Sequence, residues 1–133
     1  MNKKLTVLII DDCEDDAILL AREISRAGYK VDFEYISSLT SLEKALESNR
    51  WDIIISDYSL PGFNGLSVLN MIKEKGYDIP FIMVSGTIGE NLAVEIMKSG
   101  AHDYVMKDNL TRLVPAIKRE LREAEIKREK KHI

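Results

Sequence analysis

The chain has 133 residues, 45% of them hydrophobic and 31% charged, which is an ordinary balance for one globular domain. Its net charge of −3 gives no overall positive field that would attract nucleic acid, and its single cysteine, Cys13, excludes an internal disulfide framework. No apolar run approaches the roughly 18–20 residues that a membrane-spanning helix needs, so we expect a cytoplasmic protein without a membrane partner.

Short apolar segments alternate with amphipathic segments along the chain. The apolar segments are rich in β-branched residues, which is typical of strands that are covered on both faces of a parallel sheet. They predict strands over 5–10, 31–36, 51–56, 80–85 and 102–106. The second of these alternates apolar and polar residues, and this pattern favours a position nearer the sheet edge.

The amphipathic segments predict five helices, two of which open with capping-box patterns at Thr40-Ser41-Leu42-Glu43 and Thr87-Ile88-Gly89-Glu90. The helices are expected from 15 to 27, from 40 to 48, from the turn at 60–65 to Lys75, from Thr87 to Gly100, and from a start between Asn109 and Pro115 toward residue 127. Strands and helices in alternation, joined by short loops, predict an α/β fold with one doubly wound, five-stranded parallel sheet and helices on both faces.

Polar side chains stand where the predicted strands end. Asp11 and Asp12 follow the first strand, and Asp57 stands at the end of the third. Ser85 ends the fourth strand, and Lys107 follows the fifth. Because ligands of open parallel α/β sheets bind outside the carboxyl ends of the strands, we expect these groups to converge at one rim.

The residue types at this rim suit phosphate chemistry. Three neighbouring carboxylates repel one another and need a cation, and oxygen ligands without histidine or thiolate favour Mg²⁺ or Mn²⁺. Lys107 supplies a compact positive charge for a phosphate group, Ser85 can donate a hydrogen bond to it, and Asp57 can act as a nucleophile that forms an acyl phosphate. Each residue alone is commonly a helix cap, a turn residue or a solvated charge, so the inference depends on their joint occurrence.

These motifs resemble the receiver domain of bacterial two-component signalling, of the chemotaxis-regulator type. The strongest similarity is Asp57-Tyr58-Ser59-Leu60-Pro61-Gly62-Phe63-Asn64-Gly65, which is similar to the family's phosphoacceptor loop. Three further motifs of the family occur in its order and at its approximate spacing. They are the pair Asp11-Asp12, the strand end Ser85-Gly86 and the segment Asp103-Tyr104-Val105-Met106-Lys107. The resemblance covers residues 5 to about 125 and implies a flavodoxin-like sheet with strand order 2-1-3-4-5.

The resemblance implies a metal site and a phosphoacceptor. Asp57 is the expected phosphoacceptor, and Asp12 and Asp57 are the expected carboxylate ligands of Mg²⁺ or Mn²⁺. Asp11 is expected to bind the metal through water, and Ser59 through its backbone carbonyl.

The resemblance also implies a phosphoryl contact and a switch. Lys107, Ser85 and the backbone N–H of Gly86 are expected to contact the phosphoryl group. Ser85 and Tyr104 are the expected switch pair, in which Tyr104 turns inward when Ser85 moves and the surface of the fourth helix, fifth strand and fifth helix changes. The chain departs from the family pattern in having Asp108 after Lys107, where many receivers have proline, and serine at position 85 in place of the commoner threonine.

The implied function is a phosphoacceptor switch that receives a phosphoryl group from a sensor histidine kinase or a histidine phosphotransfer protein in a Mg²⁺-dependent reaction. It is not an enzyme that turns over outside substrates, and a homodimer or a downstream output domain is a further expected partner. A haloacid-dehalogenase-like phosphatase is the alternative, although that class usually shows Asp-x-Asp after its first strand. A nucleotide or flavin binder is disfavoured because neither glycine-rich phosphate motif is present.

The C-terminal segment differs in charge from the rest of the chain. From Lys118 onward, seven basic and four acidic residues give a net charge of +3, whereas the rest of the chain carries 12 basic and 18 acidic residues. The interleaved glutamates favour a solvated helix face over a DNA or lipid contact. We therefore expect a receiver domain over 1–125 and a basic tail over 126–133 that extends the last helix.

Overall fold

The protein is described by a computed structural model over residues 3–86 and 89–131, without the side chain of Lys131. Its strands are β1 (Lys3–Ile10), β2 (Tyr29–Ile36), β3 (Ile53–Asp57), β4 (Ser59–Leu60), β5 (Phe63–Asn64), β6 (Phe81–Ser85) and β7 (Asp103–Met106). Its helices are α1 (Glu14–Arg26), α2 (Leu39–Ser48), α3 (Gly65–Glu74), α4 (Glu90–Lys98) and α5 (Leu113–Lys131), with a 3₁₀ turn at Leu110–Arg112.

The five longer strands form one parallel sheet in the order β2-β1-β3-β6-β7. Since β6 and β7 are the fourth and fifth of these longer strands, the predicted flavodoxin-like order 2-1-3-4-5 and the edge position of the second strand are confirmed. The remaining two strands, β4 and β5, form a short antiparallel pair within the segment that was predicted as a turn.

The sheet separates two apolar layers because successive side chains of a strand point to opposite faces. On one face Leu8 and Ile54 are buried under α2, α3 and α4. On the other face Ile9 and Ile55 are buried under α1 and α5. Helices thus cover both faces, which explains why the buried parts of the central strands are mostly apolar.

One detail of the predicted helices is wrong. The second helix is capped by Ser38, whose hydroxyl accepts a hydrogen bond from the backbone N–H of Ser41 at 3.1 Å, so Thr40 lies inside the helix. The last helix, which was expected to run toward residue 127 and to be extended by the basic tail, continues to Lys131, because its last residues have high helix propensity and interleaved charges.

The remaining predictions about helix ends and chain segments are not decided. Thr87 and Ile88, the first two residues of the capping box expected at Thr87-Ile88-Gly89-Glu90, lie outside the described residues, and α4 has Gly89 as its N-cap. The division into 1–125 and 126–133 stays a prediction. Among the described helices, none is both long enough and apolar enough to cross a membrane.

Candidate functional site

Three neighbouring strands deliver the predicted site residues to one rim. Asp11 follows β1 directly, and its backbone N–H donates to the carbonyl of Ile36 at 3.1 Å, so the β-like pairing with β2 continues to this residue. Asp57 is the last residue of β3, which lies between β1 and β6, and it is in register with Val84 of β6. Ser85, one residue further, ends β6.

The three carboxylates meet at this rim. Asp11, Asp12 and Asp57 each offer an oxygen, and these atoms lie within 4.8 Å of one another. Asp11 is 1% exposed and Asp57 7%, whereas Asp12 faces solvent. An all-oxygen ligand set, buried on one side and open on the other, fits a hard divalent cation such as Mg²⁺ that retains several of its waters.

Lys107 reaches the same cluster. Its Nζ lies 3.0 Å from Asp57 Oδ2 and 3.4 Å from Asp11 Oδ2, and its backbone N–H donates to the carbonyl of Ser85 at 2.7 Å. The following bond to Asp108 is trans, like the other peptide bonds of the described residues. Lys107 therefore reaches the cluster without the proline that many receivers have at position 108.

The electrostatics of the cluster show why it needs cations. Burial, with the nearby charge of Asp57, raises the pKa of Asp11 from its ordinary 3.8 to about 6, although the Cys13 N–H and Lys107 act in the other direction. Burial lowers the pKa of Lys107, but its bonds to Asp57 and Asp16 and the charge of Asp11 outweigh that effect and raise it above the ordinary value. Lys107 is therefore fully charged at neutral pH, and the cluster retains excess negative charge.

Asp16 is a site residue that the sequence analysis missed. It lies in the first turn of α1, and its Oδ2 is 3.0 Å from Lys107 Nζ, so the two residues are joined across 91 positions of sequence. The only local sign was an acidic residue in a first helical turn, which is common because it interacts favourably with the helix dipole.

The other predicted residues surround the cluster. Ser85 is buried at the end of β6, and Gly86 after it is exposed, with open space where a side chain would stand. Ser59 is exposed and is in register with Asn64 in the short antiparallel pair. Tyr104 is half-buried in β7 beside α4. The roles expected for these four residues stay predictions.

The loop after Asp57 is held in place at Gly65. Its N–H donates to the carbonyl of Tyr58 at 2.8 Å, and a Cβ at this position would overlap the Met83 side chain and lie 2.9 Å from the Asp57 carbonyl oxygen. Because the side chain of Met83 can move but the backbone of Asp57 has little freedom, we expect Gly65→Ala to lower the free energy of unfolding by about 1–3 kcal/mol. Urea denaturation measures this, with Gly86→Ala as the control in open space. Equal stability of the two variants would contradict the close packing at Gly65.

Comparison with known proteins agrees with this geometry. The chain matches the family described as response regulator receiver domain over residues 7–118. It is 34% identical over 101 residues to the response regulator ArlR of Staphylococcus haemolyticus, which covers 76% of this chain and 45% of ArlR. It is 30% identical over 119 residues to the DNA-binding transcriptional regulator NtrC of Rhizobium meliloti, which covers 89% of this chain and 24% of NtrC.

Solved structures show the same architecture. The solution structure of the beryllofluoride-activated NtrC4 receiver domain dimer matches with a TM-score of 0.77 at 27% identity, over 89% of this chain and 97% of that one. The chain spans less than half the length of ArlR and about a quarter of that of NtrC. A family match over most of the chain, together with this fold and a carboxylate cluster at the predicted rim, shows that the chain belongs to the receiver-domain family of two-component response regulators.

Proposed function

We propose that this chain is a phosphoacceptor switch in which Asp57 takes a phosphoryl group from a sensor histidine kinase or a histidine phosphotransfer protein. The observation that carries the proposal is the contact of Lys107 Nζ with Asp57 Oδ2 at 3.0 Å inside the buried carboxylate cluster. A nucleophilic carboxylate, a fixed ammonium group and a cation-binding acidic pair are the parts that phosphoryl transfer requires.

The transfer step uses these residues in defined roles. A carboxylate oxygen of Asp57 forms the new P–O bond while the P–N bond of the donor phosphohistidine breaks, and the imidazole leaves with the electron pair. Asp11, Asp12, Asp57 and the Ser59 carbonyl would hold Mg²⁺, which supplies charge neutralisation at the phosphoryl oxygens when it is bound. Lys107 turns toward a phosphoryl oxygen, and the Gly86 N–H and the Ser85 hydroxyl donate to the others.

Phosphorylation would be read out on the surface formed by α4, β7 and α5. The phosphoryl group adds a charge of about −2 that attracts Ser85 and Lys107, and Tyr104 turns into the space that Ser85 vacates. A groove between α4 and β7 adjoins Tyr104 and carries the exposed side chains of Val94 and Met97. This apolar groove supports an output surface there, and a second copy of the chain or an output domain is the proposed partner.

The proposed partners follow from the organisation of the relatives and from the net charge of the chain. Its relatives are longer regulators, so an output domain joined to the receiver fits their organisation. We propose no direct nucleic-acid contact for this domain because its net charge is −3. As a switch it catalyses only its own phosphorylation and dephosphorylation, and it is not proposed to turn over other substrates.

The test is incorporation of phosphate from acetyl phosphate in the presence of Mg²⁺. The parent chain is expected to take up one acid-stable, base-labile phosphoryl group, and Asp57→Asn is expected to take up none. Asp108→Asn, which removes an exposed carboxylate after Lys107, is the matched control and should be labelled as the parent is. Labelling of Asp57→Asn at the parent rate would end the assignment, and sustained hydrolysis of a phosphate ester would favour the phosphatase alternative.

A further inference from the structure

We propose that Asp16 competes with the incoming phosphoryl group for Lys107 and thereby restrains phosphorylation of Asp57. Asp16 is thus a positioning residue that acts through Lys107 rather than on the reacting atoms. The inference rests on the proposed function of Asp57 and concerns the rate at which that function is carried out.

Three carboxylates surround the ammonium group of Lys107 in the unphosphorylated state. A lysine ammonium group has three N–H donors and no acceptor. Its Nζ donates hydrogen bonds to Asp16 and to Asp57, each at 3.0 Å, and forms an ion pair with Asp11 at 3.4 Å. Because these carboxylates crowd the ammonium group, a phosphoryl oxygen can bind Lys107 closely only if one of these contacts is given up.

The three carboxylates differ in how readily they can be released. Asp11 and Asp57 are buried, so water cannot readily take the place of the ammonium group beside them. Loss of Lys107 would leave a buried, unpaired charge at a large free-energy cost. The Asp16 side chain is 40% exposed, so water can solvate its carboxylate when Lys107 leaves. Asp16 is therefore the contact that the phosphoryl group replaces.

Asp16 slows the phosphorylation of Asp57 in two ways. Its contact with Lys107 must be broken before the ammonium group can turn fully to the phosphoryl oxygens. Its negative charge also lies next to the place that the dianionic phosphoryl group of the donor must reach. The two negative charges repel each other, and the partly exposed surroundings screen this repulsion only in part. Removal of the charge should therefore speed labelling and also slow loss of the phosphoryl group, since Lys107 then stays with it.

The experiment compares charge-matched variants of two adjacent residues with acetyl phosphate and Mg²⁺. Asp16→Asn is expected to raise the second-order rate constant for labelling of Asp57 by about three- to tenfold at low salt, and the gain should shrink as salt is added. Asp15→Asn removes an equal charge from an exposed neighbour and is expected to change the rate by less than about twofold. Asp16→Glu restores the charge and is expected to return the rate toward that of the parent.

A double-mutant cycle identifies the route of the effect. In a Lys107→Met background, Asp16→Asn is expected to lose most of its advantage over Asp15→Asn, because the shared partner is gone. Equal rates for Asp16→Asn and Asp15→Asn, slower labelling of Asp16→Asn, or an undiminished gain without Lys107 would each overturn the inference. Any of these results, obtained while the parent is still labelled at Asp57, leaves the proposed function intact, whereas absence of labelling in the parent contradicts that function itself.

Discussion

Labelling of Asp57 by acetyl phosphate is expected to slow by about a hundredfold when Lys107 is replaced by methionine. Lys107 is the only basic side chain that the described residues place within ion-pair distance of Asp57 or Asp11. Without it, the charge on the phosphoryl oxygens has one neutralising group fewer at the moment of transfer. Single-turnover labelling at saturating Mg²⁺ measures the loss.

The same substitution should also weaken the fold in the absence of metal. Two buried carboxylates would lose their ammonium partner, and we expect the free energy of unfolding in EDTA to fall by about 1–3 kcal/mol at neutral pH. Lys44→Met, which removes an equal charge from the exposed surface of α2, is the control and should alter neither labelling nor stability appreciably. If Lys107→Met were labelled at the parent rate, the ammonium group would have no part in transfer.

The position of the site could be predicted because it depends on the order of the strands. Apolar runs identify buried strands, and parallel strands bring their carboxyl ends to one rim, so Asp11, Asp57 and Ser85 follow from pattern and topology. Resemblance to the family added the metal ligands, the switch pair and the strand order. None of these inferences needed a side-chain distance.

Contacts that depend on tertiary packing could not be predicted. The link between Asp16 and Lys107 depends on how the first turn of α1 packs beside the end of β7, and no local pattern encodes that distance.

The N-cap at Ser38 was missed because Thr40 also matched the sequence preference, and only the extended backbone at Ser38 distinguishes them. The β4–β5 pair is two residues long on each side, too short to give a periodic signal.

Asp11→Asn is expected to stabilise the metal-free protein while it weakens magnesium binding. The Asp11 pKa is raised from 3.8 to about 6, so the folded state holds this proton more tightly than the unfolded chain does. The contribution of Asp11 to the free energy of unfolding is therefore fully present below pH 3.8 and is lost as the pH rises to about 6. At pH 7 the ionised, buried carboxylate opposes folding, and its replacement should raise the free energy of unfolding in EDTA by about 1–3 kcal/mol.

Bound Mg²⁺ is expected to reverse the effect of the Asp11 charge on stability. The carboxylate charge that opposes folding without metal attracts the cation when Mg²⁺ is present. The parent should gain thermal stability as Mg²⁺ is added, and Asp11→Asn should need about 10–100 times more Mg²⁺ for the same gain. Asp12→Asn is the control, since its solvent-exposed carboxylate costs little without metal and its removal should leave stability in EDTA nearly unchanged. A less stable Asp11→Asn protein in EDTA would show that the N–H of Cys13 and Lys107 already compensate the buried charge, and the acidic rim would then need no cation to be stable.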